Sequence, residues 1–198
     1  ADTFRDAVAE LFGLSRAHVL AGNGSDDILA MAVRTFLGPG DVLAYPDPTY
    51  SLYPVLADIH EVRVAEVPWG PGWTLPTDAL VATGAKAIFF ANPNAPSGTL
   101  VPLDAIRDLA RRFSGVVLVD EAYVDFAGPD ASAAALLRDH GNVVVSRTLS
   151  KAYSLAGLRM GFALAQPAVI DELLKVKDSY NCDAISIAAG AAAIKDQA

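Results

Sequence analysis

The sequence is poor in several things at once. It has a single cysteine, Cys182, among 198 residues, which excludes an internal disulfide framework and any multi-cysteine metal site. Cys182 reads as a small buried residue. Basic residues are scarce: 15 Lys and Arg stand against 23 Asp and Glu, a formal net charge of −8. No cluster of Lys and Arg offsets that balance, and a nucleic-acid backbone needs a basic footprint. Long apolar runs are missing too, although 53% of the residues are apolar. The longest stretch, 185–194, is interrupted by Ser186 and rich in Ala and Gly, whereas a spanning helix needs about 20 apolar residues. The start, Ala1-Asp2-Thr3-Phe4-Arg5-Asp6, has neither a Met nor a basic stretch followed by an apolar one. It therefore reads as a processed or trimmed chain without a signal peptide. These absences point to one globular domain in a cytoplasmic setting, bound to neither nucleic acid nor membrane.

Several catalytic signatures are absent as well. The glycines at 22 and 24 do not continue into a dinucleotide fingerprint, because position 27 is Asp. A phosphate loop ending in Gly-Lys-Ser/Thr and a Gly-x-Ser-x-Gly nucleophile elbow are both missing. His18, His60 and His140 are widely separated with no close carboxylate spacing, so no metal site is expected.

What is present alternates between two periods. Apolar residues recur at helical spacing in Phe4/Val8/Leu11/Phe12, in Ile28/Leu29/Ala32/Val33/Phe36 and in Ile106/Leu109/Ala110/Phe113. The second of these stops at Gly38-Pro39-Gly40. Pro102 and Pro167 suit the first turn of further helices. A helix is expected over about 167–178, and an Ala-rich one after Asp183. Between the helices lie short β-branched runs: Val42-Leu43-Ala44-Tyr45, Val62-Arg63-Val64, Ala87-Ile88-Phe89-Phe90, Val116-Val117-Leu118-Val119 and Val143-Val144-Val145. Several are apolar throughout, as in strands covered on both faces. The pattern predicts an α/β fold, a mainly parallel sheet flanked by helices. Pro68-Trp69-Gly70-Pro71-Gly72-Trp73 reads as a surface loop rather than a domain boundary.

In such sheets the ligand crevice lies beyond the carboxyl ends of the strands, and the conspicuous polar segments fall there. Asn92-Pro93-Asn94-Ala95-Pro96-Ser97-Gly98, Asp120-Glu121-Ala122-Tyr123 and Ser146-Arg147-Thr148-Leu149-Ser150-Lys151 each follow a predicted strand. A lysine just past a buried strand, flanked by hydroxyls and small residues, could form a Schiff base with a carbonyl cofactor. Taken alone, Ser25-Asp26-Asp27 is a helix N-terminus with favourable charges.

Together these segments resemble the fold-type-I pyridoxal-phosphate enzymes, in particular the histidinol-phosphate aminotransferase branch. The resemblance runs from Gly22-Asn23-Gly24-Ser25-Asp26-Asp27 through Pro48-Thr49-Tyr50, 92–98 and 119–126 to 148–161. It implies that Lys151 holds pyridoxal 5′-phosphate and shuttles a proton, that Asp120 pairs with the pyridine nitrogen, and that Tyr123 bonds the 3′ oxygen. It implies that Gly24, Ser25 and Asp26, through their main chain, and Thr148, Ser150 and Arg159 cradle the phosphate. Tyr50 would stack on the ring. Relatives place Asn directly before a Pro-Thr-Gly turn where this chain has Ala95, which leaves Asn94 or Asn92 as substitutes for that contact, or Tyr123 bonding the oxygen alone.

The implied reaction passes an amino group from an amino donor, L-histidinol phosphate, to a 2-oxo acid, 2-oxoglutarate. Aromatic aminotransferases and threonine-phosphate decarboxylases share the same motifs, and a cofactor-binding sensor module is the reading from another class. The resemblance also implies a homodimer. The relatives are longer, so residues 1–198 are expected to be the cofactor-binding large domain of a fragment. An N-terminal arm with a partner-reaching tyrosine would precede it, and a small domain with a carboxylate-binding arginine would follow.

Overall fold

A computed structural model describes residues 1–196 of the chain. Its centre is one seven-stranded sheet in the order β1-β7-β6-β5-β4-β2-β3. The strands are β1 (Val19–Gly22), β2 (Val42–Asp47), β3 (Arg63–Pro68), β4 (Ala87–Ala91), β5 (Val116–Asp120), β6 (Val143–Thr148) and β7 (Gly161–Leu164). β7 runs antiparallel to both neighbours, and the remaining pairs are parallel. Among the described residues the α-helices are α1 (Asp2–Phe12), α2 (Ser25–Phe36), α3 (Leu52–Ile59), α4 (Thr77–Ala82), α5 (Leu103–Arg112), α6 (Pro167–Val176) and α7 (Ala184–Lys195).

All five expected strands form, and the mainly parallel sheet is as predicted. The central strands alternate their burial between two cores, as a period of two requires. Ile88, Phe90, Val117, Val119, Val143 and Val145 join Phe4, Val8, Leu80, Ile106, Leu109 and Ile194, from α1, α4, α5 and α7, on one face. Phe89, Leu118 and Val144 join Ile28, Leu29, Tyr53, Leu56, Ile170 and Leu173, from α2, α3 and α6, on the other. Continuous apolar runs in the sequence are thus strands buried on both sides.

Four elements go beyond the sequence pattern. β1 and β7 are four-residue strands rich in Gly and Ala, too short to carry a period. α4 has six residues. α3 carries Pro54 in its first turn, where the missing amide would have had no helical partner. Two proline expectations divide: Pro167 opens α6, whereas Pro102 stands one residue before α5 as its N-cap. α7 begins where Asp183 accepts hydrogen bonds from the amides of Ile185 and Ser186, both at 2.9 Å. The stretch after β3 is a surface turn closed by a bridge between Gly70 and Thr74.

The register brings one row of residues to a common edge. Ala91 pairs with Asp120 and Asp120 with Ser146, while Gly161 pairs with both Thr148 and Gly22. At Gly161 a β-carbon would lie 2.6 Å from the Gly24 carbonyl carbon, 2.7 Å from the Ser25 amide and 2.8 Å from the Arg147 carbonyl oxygen. All three are main-chain atoms, so nothing can swing aside. Gly157 has open space around it. Gly161→Ala should therefore cost about 3 kcal/mol or more. Gly157→Ala should leave stability unchanged or raise it by up to about 1 kcal/mol. Equilibrium urea unfolding of the two variants checks the contrast.

Candidate active site

At that edge the loops after β1, β2, β4, β5 and β6 surround one cavity. Ser25, Asp26, Tyr50, Asp120, Tyr123, Thr148, Ser150, Lys151 and Arg159 line it, together with Ala91, Ala95 and Ala122. Nine of the eleven residues expected from the sequence thus meet in one place. Ala95 stands at the position the resemblance marked, whereas Ala91, at the end of β4, and Ala122 carried no signal in the sequence.

One end of the cavity is built to take an anion. Gly24 is the N-cap of α2 at φ 82°, and no side chain caps the helix. Its first amides are therefore free to meet a ligand under the favourable end of the helix dipole. A β-carbon at Gly24 would come 2.6 Å from Arg159 Nη2, so glycine is what admits the guanidinium. Arg159 itself sits in the left-handed region at φ 53°. Its Nη1 donates to Ser150 Oγ and to the Ala156 carbonyl, both at 3.3 Å, and its Nη2 lies 3.9 Å from Asp26 Oδ2. The Thr148 hydroxyl donates to Ser150 Oγ at 3.0 Å and accepts from the Ser150 amide at 3.1 Å. These bonds fix the turn that presents Lys151, whose ammonium lies 5.1 Å from the centre of the Tyr123 ring.

The other end is a buried acid. Asp120, only 3% exposed, lies on the same face of β5 as Leu118. Its Oδ2 accepts a hydrogen bond from the Tyr53 hydroxyl at 3.3 Å, while its Oδ1 is buried without a partner. Ser146, its neighbour across β6, has a buried hydroxyl that is likewise unpartnered. Burial raises the Asp120 carboxyl to about 7, with the negative charge of Asp26 adding to the effect and the Tyr53 hydroxyl opposing it. Two orphaned polar atoms side by side are expected where a ligand supplies the missing bonds.

Tyr50 forms a wall between the two ends. Its hydroxyl donates to Asp26 Oδ1 at 3.2 Å. Burial, and then the charge of Asp26, push that hydroxyl up to about 12. On the opposite face of the sheet Glu121 is fully enclosed. It accepts from Ser132 Oγ at 2.7 Å, from the Ala133 amide at 2.5 Å and from Arg147 Nη1 at 3.3 Å. Arg147 also bonds Asp125 and lies 5.5 Å from the Phe12 ring. This clamp ties the end of β5 to the end of β6 directly behind Asp120 and Thr148.

Gly24 and Asn94 stand outside the lining. Gly24 serves through its backbone. Asn94 is buried and its side chain is spent inside the loops: Oδ1 accepts from Thr49, and Nδ2 donates to the Pro48 carbonyl and to Ser97 Oγ. Asn92 is similarly committed to the Val101 backbone. Ala95, not either asparagine, faces the cavity. No group of three or more His, Cys, Asp and Glu that could hold a metal occurs among the described residues. No helix among them is long and apolar enough to cross a membrane.

The fold and cavity together bring helix-start amides, an arginine, a lysine amine and a buried carboxyl to one enclosed space at the strand ends. Residues 1–198 match the family described as aminotransferase class I and II, and the chain belongs to that family. It is 47% identical over 197 residues to histidinol-phosphate aminotransferase 1 of Nostoc sp., covering 100% of this chain and 55% of that protein. It is 48% identical to the histidinol-phosphate aminotransferase of Rhodopirellula baltica, covering 98% of this chain and 54% of the relative. The crystal structure of histidinol-phosphate aminotransferase from Sinorhizobium meliloti in complex with pyridoxal-5′-phosphate superposes with a TM-score of 0.92 at 29% identity. That match covers 100% of this chain and 56% of that one. The chain thus spans about half the length of the relatives it matches.

A buried acid with a raised pKa has a definite sign in stability. The folded value of about 7 lies above the ordinary 3.8, so its contribution is fully present below pH 3.8 and is lost as the pH rises through 7. Asp120→Asn cannot titrate. Without ligand, the stability of wild type relative to Asp120→Asn should fall between pH 4 and 8 by up to about 4 kcal/mol. Urea unfolding of both proteins across that range measures it, and parallel profiles would contradict a buried, unpaired carboxyl.

Proposed function

We propose that the cavity holds pyridoxal phosphate and that the protein is an aminotransferase acting on L-histidinol phosphate and 2-oxoglutarate in histidine biosynthesis. The observation that carries the reading is the buried, unpartnered Oδ1 of Asp120 in the same cavity as Lys151 and the Arg159 side of the anion cradle. The whole-chain relationship to histidinol-phosphate aminotransferases supports the choice of substrate. On this reading the described fold is a cofactor-binding large domain, and the protein works as a homodimer in the cytoplasm.

Bound here, the cofactor supplies an aldehyde carbon for amine exchange and a ring that takes up the electrons released at the substrate's α-carbon. The chain's own residues do the rest. The amides of Gly24, Ser25 and Asp26, with Thr148, Ser150 and Arg159, hold the phosphate; Arg159 gives it the charge-assisted bonds. Tyr50 covers one face of the ring. Asp120 ionises when its Oδ1 meets a protonated ring nitrogen, because that cation replaces the solvation its carboxylate lacks. Tyr123 donates to the 3′ oxygen, and with Ala95 beside it that bond is its task alone. Lys151 Nζ would hold the aldehyde end of the cofactor, and its free amine would carry a proton to and from the substrate α-carbon.

Borohydride treatment of the protein with pyridoxal phosphate should fix the cofactor on Lys151. Mass spectrometry finding it on Lys86, Lys175, Lys177 or Lys195 instead would contradict the assignment. In the intact protein, Asp120→Asn should retain the Lys151 adduct while kcat falls about 100-fold or more. A substrate panel should give the highest kcat/KM with histidinol phosphate. A preference for aromatic amino acids, or decarboxylation of threonine phosphate, would reassign the substrate, and no amino transfer at all would indicate a sensor.

A further inference from the structure

Tyr53 lies in the first turn of α3 and is completely buried. It touches two parts of the cavity without lining it. Its hydroxyl donates to Asp120 Oδ2 at 3.3 Å. Its ring meets Tyr50 edge-on, with centroids 5.8 Å apart and planes at 86°, and Phe89 in the same way at 5.9 Å and 84°. Tyr45 closes a further side at 6.0 Å. The ring is thus fixed by three aromatic neighbours, and the hydroxyl has one place to go.

The consequence is an inequality between two chemically equivalent atoms. A carboxylate's terminal torsion is broad and roughly two-fold, so a free aspartate could offer either oxygen to a ligand. Here Oδ2 is taken and Oδ1 is left without a partner. Resting on the pyridoxal-phosphate reading, we propose that Tyr53 is a positioning residue. It claims Asp120 Oδ2, so that Oδ1 alone meets the ring nitrogen, and its ring edge holds Tyr50 at the angle that covers the cofactor.

The bond also affects where a proton rests. A hydroxyl donating to a carboxylate favours the charged form, so Tyr53 keeps Asp120 a weaker base and leaves the shared proton on the ring nitrogen. The other groups acting on Asp120 are Asp26 at the start of α2, whose charge opposes ionisation, and the Ser146 hydroxyl on β6 and the Ala122 amide, which favour it. Tyr50, on the loop before α3, also faces the carboxylate. Of these, the Tyr53 hydroxyl favours the carboxylate most.

Tyr53→Phe removes the hydroxyl and keeps the ring packing. The intact protein is loaded with pyridoxal phosphate carrying 15N in its ring, and two quantities are read: the dissociation constant and the ring 15N shift. The expected result is about tenfold weaker binding and a 15N shift moved toward the unprotonated position. In an Asp120→Asn background the same substitution should change neither, because its route runs through that carboxylate. The double variant also removes the orphaned charge, which keeps the comparison available if Tyr53→Phe alone folds poorly. An unchanged 15N shift in Tyr53→Phe, or an equal effect in both backgrounds, would overturn the positioning role while leaving the cofactor reading intact. Failure of the wild-type protein to bind pyridoxal phosphate would overturn both, and it is seen before any variant is made.

Discussion

Placing a carboxylate at the end of a central, doubly covered strand, with no cation against it, is costly, and the architecture around Asp120 follows from tolerating that cost. Its face of the sheet is packed by α2 and α3, which exclude the water that would solvate the charge. Tyr53 supplies one donor and leaves one oxygen unanswered. Burial consequently raises the carboxyl to about 7, so that it holds its proton far more readily than an ordinary aspartate until a positive partner arrives. A group held this way is poorly suited to stabilising the fold and well suited to recognising a protonated ring nitrogen.

The remaining geometry fixes the distance between that acid and the anion cradle. Parallel pairing aligns the ends of β2, β4, β5 and β6, and the antiparallel insertion of β7 returns Gly161 and Arg159 to the same edge. The close approach of Gly161 to the start of α2 sets the cradle against the sheet. Behind the site, the enclosed Glu121–Arg147 pair locks β5 to β6. Removing one partner would strand a buried charge. Chemistry is thus on one face of the sheet and its mechanical support on the other, one residue apart along each strand.

Much of this was legible in the sequence because it depends on local pattern. Continuous β-branched runs mark the buried strands, and the polar clusters after them mark the site, since strand ends in a parallel sheet share one edge. β1 and β7 were not legible: four residues rich in Gly and Ala hold no period, and only their pairing defines them. α3 was hidden by Pro54, which reads as a breaker unless the first turn is recognised. Asn94 looked like a ligand by its place in a motif, yet its hydrogen bonds join loops 45 residues apart in sequence. Tyr53 was invisible for the same reason, since its partner lies 67 residues away.

Everything at this site depends on Asp120 being an unpaired buried acid that ionises when the cofactor binds. Carbon-13 NMR of the aspartate side-chain carboxyls, with Asp120 assigned by its loss in Asp120→Asn, reads this directly. Without ligand, the Asp120 signal should titrate near pH 7. With pyridoxal phosphate bound, it should stay at the ionised position throughout the range in which the protein is folded. A signal that titrates near pH 4 in both states, unaffected by the cofactor, would contradict the account.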